Sequence, residues 1–411
     1  MTKLKSLSFL LNAILIFSVL VDPTNELLHL KNISFVLFVL VSLPFANFRD
    51  LKIILVFLCV YFISFLLGLM FDENLDYQRT NGILKSFLFL TYIFWCSNHY
   101  LKSIKIFYYV MLFVAIVNIA IYLLMTSSPD IESIFYSFFS THNNVVMVNM
   151  NRTFLGLHFA SVYIRTSSVF TICLAFVCYY YFTTKKNSYL IQMLIFMGAL
   201  FCSGTRANML SGIMIVLFAY SFYTFYIKKK TLKFILIFIL FAISALLVIM
   251  KLLNDNDVSS LGVKKNHIIS YRNLFEQNPL QFVFCGKGPG TIFYSKGFNR
   301  FCSYTELSYY DLIKDFGLIQ TIILCLLLLS PVFFIFKNTV FDRFFKITIS
   351  IGYLAYLFIS GTNPLLISST GFIVFAIIGT LGTCENFSLD IVYKSKSKKL
   401  FLLKHIFKYK N

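Results

Sequence analysis

About twelve times in 411 residues the chain returns to an apolar run that is long enough, or nearly long enough, to cross a bilayer. A hydrocarbon layer about 30 Å thick needs about 20 consecutive apolar residues from a helix. It also offers no water to backbone groups, so only helices or closed barrels span it. The runs are Leu7–Val21, Ile33–Ala46, Leu51–Phe71, Ile83–Ser97, Ile104–Met125, Leu157–Phe182, Tyr189–Cys202, Ala207–Tyr226, Leu232–Leu253, Gly317–Phe336, Phe344–Ser360 and Leu365–Cys384. They predict an all-α polytopic integral membrane protein of about twelve transmembrane helices, with 1–411 as a single transmembrane domain. Composition agrees: 58% of residues are hydrophobic and 13% charged, where a soluble domain carries about 25% charged residues.

Charge orients these spans. With the N-terminus inside, the inner loops read "NFRDLK", "NHYLKSIK", "TTKKNS", "IKKKTLK" and "FKNTVFDRFFK", and 394–411 forms a basic cytoplasmic tail. Every one is basic, as the positive-inside rule requires, so both termini are expected in the cytoplasm. Lys3 and Lys5 precede the first run as in a signal peptide. "VLVDPTNE" then stands where a cleavage site would be, which predicts a retained span. The net charge of +19 fits inner loops beside anionic membrane lipids. No arginine-rich face with interleaved aromatics points to nucleic acid, which is excluded as a partner.

Two outer segments are long, 126–156 and 254–305, and loops beyond about 12–15 residues are usually functional or disordered. The second is rich in aromatics and is expected to fold, partly helical, over the outer face. Of the nine cysteines, Cys59, Cys96, Cys173, Cys178 and Cys325 lie in apolar runs, whereas Cys285 and Cys302 share the large loop, and spacing leaves their pairing open.

Arginine marks the same face. Arg206 sits in "LFCSGTRANMLSG", a short break between apolar runs where a cation is costly. Arg152 in "NMNRTFLG", Arg165 in "VYIRTSSVF", and Arg272 and Arg300 in the large loop join it, while the inner loops use lysine. A guanidinium grips phosphate or carboxylate oxygens in two places, so an outer arginine cluster suggests an anionic ligand such as a lipid pyrophosphate. Each arginine has a structural alternative: solvation for Arg152 and Arg79, bonding to backbone carbonyls for Arg165. Gly286, Gly288 and Gly290 form G-x-G-x-G without a βαβ setting, which serves sharp turns or a close backbone approach rather than a dinucleotide. Glu306 in "CSYTELSYYDLIKDFGLIQ" could accept a proton from an attacking hydroxyl, or could close a capping box with Ser303; Tyr309 and Tyr310 fall on its helical face. The six histidines show no metal-ligand spacing and there is no P-loop, so no cofactor is expected.

In this order, "SGTRANMLSG", "RNLF..NPL…GKGPG" and "ELSYYDLIKDFGLI" resemble the bacterial O-antigen polymerase and ligase superfamily, specifically over Arg152–Gln320 and by topology elsewhere. The resemblance implies a GT-C-like glycosyltransferase of the bacterial inner membrane with a large late periplasmic loop. Its donor is an undecaprenyl-pyrophosphate-linked oligosaccharide, and a chain-length regulator protein is an implied partner. An acceptor hydroxyl attacks the anomeric carbon and the lipid pyrophosphate leaves, so the protein positions and neutralises charge. Arg206, Arg272 and Arg165 are carried over as pyrophosphate or glycan ligands, with Arg152 and Arg300 beside them, and Glu306 as the acceptor-side base. Alanine at Arg206 or Arg272 is expected to abolish polymer. Ligases carry a histidine just before this helix, and "RFCSYTELSYYDL" has none, which favours the polymerase. A lipid-linked oligosaccharide flippase is the rival of another class.

Overall fold

A computed structural model describes residues 2–71, 75–142, 144–154, 157–232, 234–235, 261–361 and 365–383. Among them seven helical stretches are long and apolar enough to cross a membrane: Thr2–Val21, Phe48–Met70, His99–Ser127, Arg165–Thr184, Arg206–Tyr226, Leu318–Lys337 and Arg343–Ser360. Shorter apolar helices, Lys31–Phe45, Asn187–Cys202 and Ser369–Gly382, lie among them. The expected ninth span, Leu232–Leu253, lies mostly outside the described residues.

In chain order the helices are α1 (Thr2–Val21), α2 (Lys31–Ser42), α3 (Leu51–Phe71), α4 (Tyr77–Leu90), α5 (Ile93–Cys96), α6 (Ser103–Ser127), α7 (Pro129–Thr141), α8 (Phe170–Thr184), α9 (Asn187–Cys202) and α10 (Arg206–Tyr226). There follow α11 (Leu261–Gln277), α12 (Pro279–Phe284), α13 (Ser308–Phe316), α14 (Leu318–Lys337), α15 (Arg343–Ser360) and α16 (Ser369–Gly379). The 21 residues of α3 reach roughly 30 Å at 1.5 Å each. Leu55, Phe62 and Leu66 stand exposed along α3, and Leu326 and Phe333 along α14, a lipid-facing pattern that water would penalise.

The central helix is α8, buried from Phe170 through Cys178 and packed on α9, α10 and α15. Its crossing with α15 is close because Gly352 has no side chain: a Cβ there would stand 2.5 Å from that of Ala175. Thr171 Oγ1 donates to the Gly352 carbonyl at 3.1 Å across the contact, the small-residue packing that membrane helices favour. Some buried polar groups of the bundle pair with one another: Tyr92 Oη donates to Asn12 Oδ1 at 2.5 Å, and Asn12 Nδ2 to the Leu101 carbonyl at 3.1 Å.

Two expected spans take another form. The run Leu157–Phe182 does not begin as helix: Leu157–Ile164 is strand β2, paired antiparallel with β1 (Val146–Phe154), and helix proper starts at Phe170. Its alternation of β-branched and aromatic residues suits a pleated surface. The described chain is mostly helical, compatible with the all-α membrane fold expected, and adds to it this hairpin and a second, β3 (Phe293–Ser295) with β4 (Arg300–Cys302). The run Ile83–Ser97 lies in two helices, α4 and α5, broken at Thr91–Tyr92.

Residues 261–305 form a cap of α11, α12 and the second hairpin around a small core of Tyr271, Leu274, Phe282, Phe293 and Leu307. Pro279 opens α12, where its missing N–H costs nothing. The cap sits at the bundle end that carries the C-terminus of α3 and the N-termini of α4, α8 and α10. The lysines Lys102, Lys185 and Lys228–Lys230 cluster at the opposite end, where Lys185 and Lys228 both rest on the Tyr223 ring.

A candidate anion-binding cleft under the cap

Three glycines fasten the cap to the bundle. Gly286, Gly288 and Gly290 all have positive φ, at 66°, 92° and 89°, conformations that glycine adopts without strain. Each meets a different element. A Cβ on Gly286 would stand 2.6 Å from the Gly317 nitrogen, one on Gly288 2.6 Å from Gly68 Cα, and one on Gly290 2.7 Å from the Asp76 carbonyl. The close approach expected of this loop is thus to the chain's own backbone. Hydrogen bonds complete the seam: Lys287 N to the Lys314 carbonyl at 2.7 Å, Asp76 N to the Gly290 carbonyl at 2.8 Å, and Thr80 Oγ1 to the Pro289 carbonyl at 2.8 Å.

Asp76 then starts α4 from this seam. Its Oδ1 accepts from the Arg79 amide at 3.0 Å as an N-cap, and Oδ2 accepts from Ser303 Oγ at 2.7 Å. Partial burial pushes the carboxyl up, but bonds from the Arg79 amide and the Ser303 hydroxyl outweigh it and hold the group below its usual range. Ser303 is therefore taken by Asp76, and the helix begins at Ser308. The expected capping box from Ser303 to Glu306 does not form, and Glu306 precedes the helix instead of sharing a face with Tyr309 and Tyr310.

Capping turns Arg79 inward. Its guanidinium carbon lies 4.7 Å from the Tyr304 ring centre, and its Nε is buried without a hydrogen-bond partner among the described residues. Arg79 borders a small cleft whose polar wall is completed by Ser308, Asp311 and Asp315, with Ile83, Phe316 and Leu366 on the apolar side. Sequence reasoning left Arg79 among the solvated loop residues. Its proximity to Tyr304 depends on a fold contact across the whole chain.

Arg165 arrives from the β2–α8 junction. Its amide donates to the Val145 carbonyl at 3.0 Å and its Nη1 to the Asn144 carbonyl at 3.4 Å. Its side chain lies within electrostatic reach of Tyr163, Tyr304, Arg79 and Glu26. Neither Arg79 nor Arg165 forms an ion pair among the described residues. Tyr163 stands beside them with its hydroxyl buried, and that burial pushes its phenol up to about 12 against the pull of Arg165.

Arg206 is the first residue of α10, half-buried, behind the Thr205 cap that accepts from the Asn208 amide. Gly204, at φ 65°, presses the turn against Ser161 of β2, and Asn208 Nδ2 donates to Ser167 Oγ at 2.9 Å. These contacts bind the Arg206 turn to the segment that carries Arg165. The other predicted residues stand apart. Arg272, its side chain 77% exposed, pairs with Glu276 at 2.7 Å along α11. Arg300 lies exposed over the Phe298 ring at 5.6 Å. Arg152 lies on β1, but its side chain is outside the described residues. Glu306 is exposed, within electrostatic reach of Tyr163 and His267.

The cleft's carboxylates are the second feature that sequence reasoning passed over. Lys314 is fully buried, pairs with Asp315 and donates to the Thr291 carbonyl at 3.1 Å. Asp311 is buried too: it accepts from the Tyr271 hydroxyl, and its Oδ2 from the Thr305 amide at 3.1 Å. Burial pushes its carboxyl up to about 7, with Lys314 opposing and Asp315 adding to the shift. Burial also raises Asp315, though Lys314 and the Gly290 amide counteract it. Cys285 and Cys302 are free thiols, and no group of three or more metal-ligating side chains is assembled among the described residues. Comparison with protein-family models and with curated proteins finds no match to this chain.

Proposed function

We propose that the protein is a membrane glycosyltransferase that polymerises surface-polysaccharide repeat units from a lipid-pyrophosphate-linked donor at the outer side of the bacterial inner membrane. One observation carries the reading. Two arginines from separate helix starts, Arg79 and Arg165, lie within electrostatic reach of each other and of Tyr304 without a carboxylate bonded to either, and Arg79 lines a cleft together with Asp311 and Asp315. Unpaired guanidinium groups at a membrane surface suit a diphosphate, whose departure needs charge neutralisation and no redox chemistry. Arg206 belongs to the same end of the bundle, and its turn is fixed to the Arg165 segment through Asn208 and Ser167.

The ligase reading draws on His267, buried with Nδ1 on Ser295 Oγ at 2.7 Å and near Glu306, although 39 positions separate the two in sequence. Gel profiles of surface polysaccharide from a strain deleted for the gene separate the cases. A single repeat unit on lipid A–core supports polymerisation as the lost step. Bare core with lipid-linked polymer accumulating outside supports ligation, and bare core with single units held inside supports a flippase.

A further inference from the structure

Beneath the anion-binding rim the cleft has a second chemical feature, and its residues divide unequally. Lys314 and Asp315 satisfy each other as an ion pair, with the Thr291 carbonyl and the Gly290 amide filling further positions. Asp311 has no such cation of its own. Its partners are the Tyr271 hydroxyl and the Thr305 amide, and Thr305 Oγ1 is occupied by the Leu307 amide at 3.0 Å and by Tyr271 at 3.0 Å. A carboxylate offers about four lone-pair positions, so Asp311 keeps accepting capacity on the wall it shares with Arg79 and Ser308.

We infer that Asp311, and not the exposed Glu306, is the proton acceptor for the acceptor sugar's hydroxyl. The inference rests on the glycosyltransferase reading above. In the step, the hydroxyl oxygen forms a bond to the anomeric carbon of the donor as its proton passes to Asp311. The bond from that carbon to the pyrophosphate oxygen breaks, and the electron pair leaves with the lipid pyrophosphate, whose charge Arg79 and Arg165 face. The proton on Asp311 returns to solvent or to the leaving group between cycles. Asp311 and Arg79 thus line one cleft, with Arg165 in electrostatic reach of Arg79.

The surroundings set the working range. The charged and titratable groups facing Asp311 are Lys314 and Asp315 on its own helix, Tyr271 on α11 and Cys302 on β4, with Arg79 across the cleft. Burial raises the carboxyl to about 7, near the pH at which a general base is most effective. Tyr271 works the other way: its hydrogen bond stabilises the ionised form. Tyr271 is therefore a positioning residue, and Asp311 the catalytic one.

The test uses the full-length protein in liposomes, with lipid-linked oligosaccharide extracted from cells deleted for the gene, and records polymer formation against pH. The wild-type rate should rise with pH through about 7. Asp311→Asn should lower it about 100-fold or more, the usual worth of a general base, and remove that limb. Binding of undecaprenyl pyrophosphate should stay unchanged. Tyr271→Phe should move the limb to higher pH, and Glu306→Gln should keep both the limb and most of the rate. Wild-type-like turnover by Asp311→Asn, or a limb that survives in it, would overturn the assignment and leave the enzyme reading intact. So would loss of undecaprenyl pyrophosphate binding in that variant, which would make Asp311 a structural group. A wild-type protein that builds no polymer from this donor would sink both.

Discussion

Arg79 lies over Tyr304 with its guanidinium carbon 4.7 Å from the ring centre, although 225 positions separate the two (304 less 79). The contact leaves its Nε buried and without a hydrogen-bond partner among the described residues. Arg79→Ala should weaken undecaprenyl pyrophosphate binding about 10- to 100-fold, the range for losing charge-assisted hydrogen bonds. Arg79→Lys should restore it in part, because an ammonium keeps the charge and loses the fork. Tyr304→Phe should bind as wild type, and Tyr304→Ala about 3- to 30-fold more weakly, since the ring face is what the cation uses. Binding to the reconstituted protein reads all four.

The predicted arginines should divide by position. Arg165→Ala and Arg206→Ala, both at the cap end beside the cleft or tied to its framework, should abolish polymer while the protein still reaches the membrane. Arg272→Ala should leave polymer length within about twofold of wild type, because an exposed i,i+4 pair contributes little. Complementation of the deletion strain, read on a gel, checks the split. Loss of polymer in Arg272→Ala with the other two intact would reverse this ordering of the site.

The glycine seam predicts a stability difference between two similar substitutions. Gly288→Ala places a Cβ 2.6 Å from Gly68 Cα, at a φ of 92°, and should cost about 2 kcal/mol or more from overlap and backbone strain. Gly82→Ala meets nothing within 4 Å on helix α4 and should be neutral or slightly stabilising. Thermal unfolding in detergent should show a lower midpoint for the first and no fall for the second.

Asp311 also makes stability depend on pH with an unusual sign. Its folded-state carboxyl, raised to about 7, binds a proton more readily than the unfolded one at about 3.9. Between these values the native state holds more protons than the unfolded state, so this residue's contribution falls as pH rises from about 4 to 7. The full shift corresponds to a few kcal/mol. Melting midpoints across that range should decline with pH in the wild type and flatten in Asp311→Asn.

The long apolar runs were readable because membrane burial constrains every residue in them, as in Leu51–Phe71. The start of α10 was readable too, since Thr205 and Arg206 stand out from the runs beside them. The run from Leu157 misled because length and hydropathy register apolarity without its period, and Val162 and Ile164 alternate as in a strand. Ser303 and Glu306 match a capping box, yet Ser303 bonds to Asp76 across 227 positions, which no local pattern encodes. Asp311 was visible as a carboxylate entering a span. Its character comes from burial beneath Tyr271, 40 positions earlier, and burial is a property of the assembled cap.

The glycine seam carries a consequence for the order of synthesis. Asp76 and Gly68 enter the membrane early, whereas Gly288, Ser303 and Lys314 emerge when most of the bundle is already inserted. Until they arrive, α4 lacks the partner that fixes its first turn, and Arg79 has neither Tyr304 nor a cleft. A nascent chain therefore passes through a stage in which most of its membrane helices exist and the proposed site does not. Premature truncation anywhere before the cap should yield an inserted protein that is inert, and two separately expressed halves would have to meet at this seam before either could act.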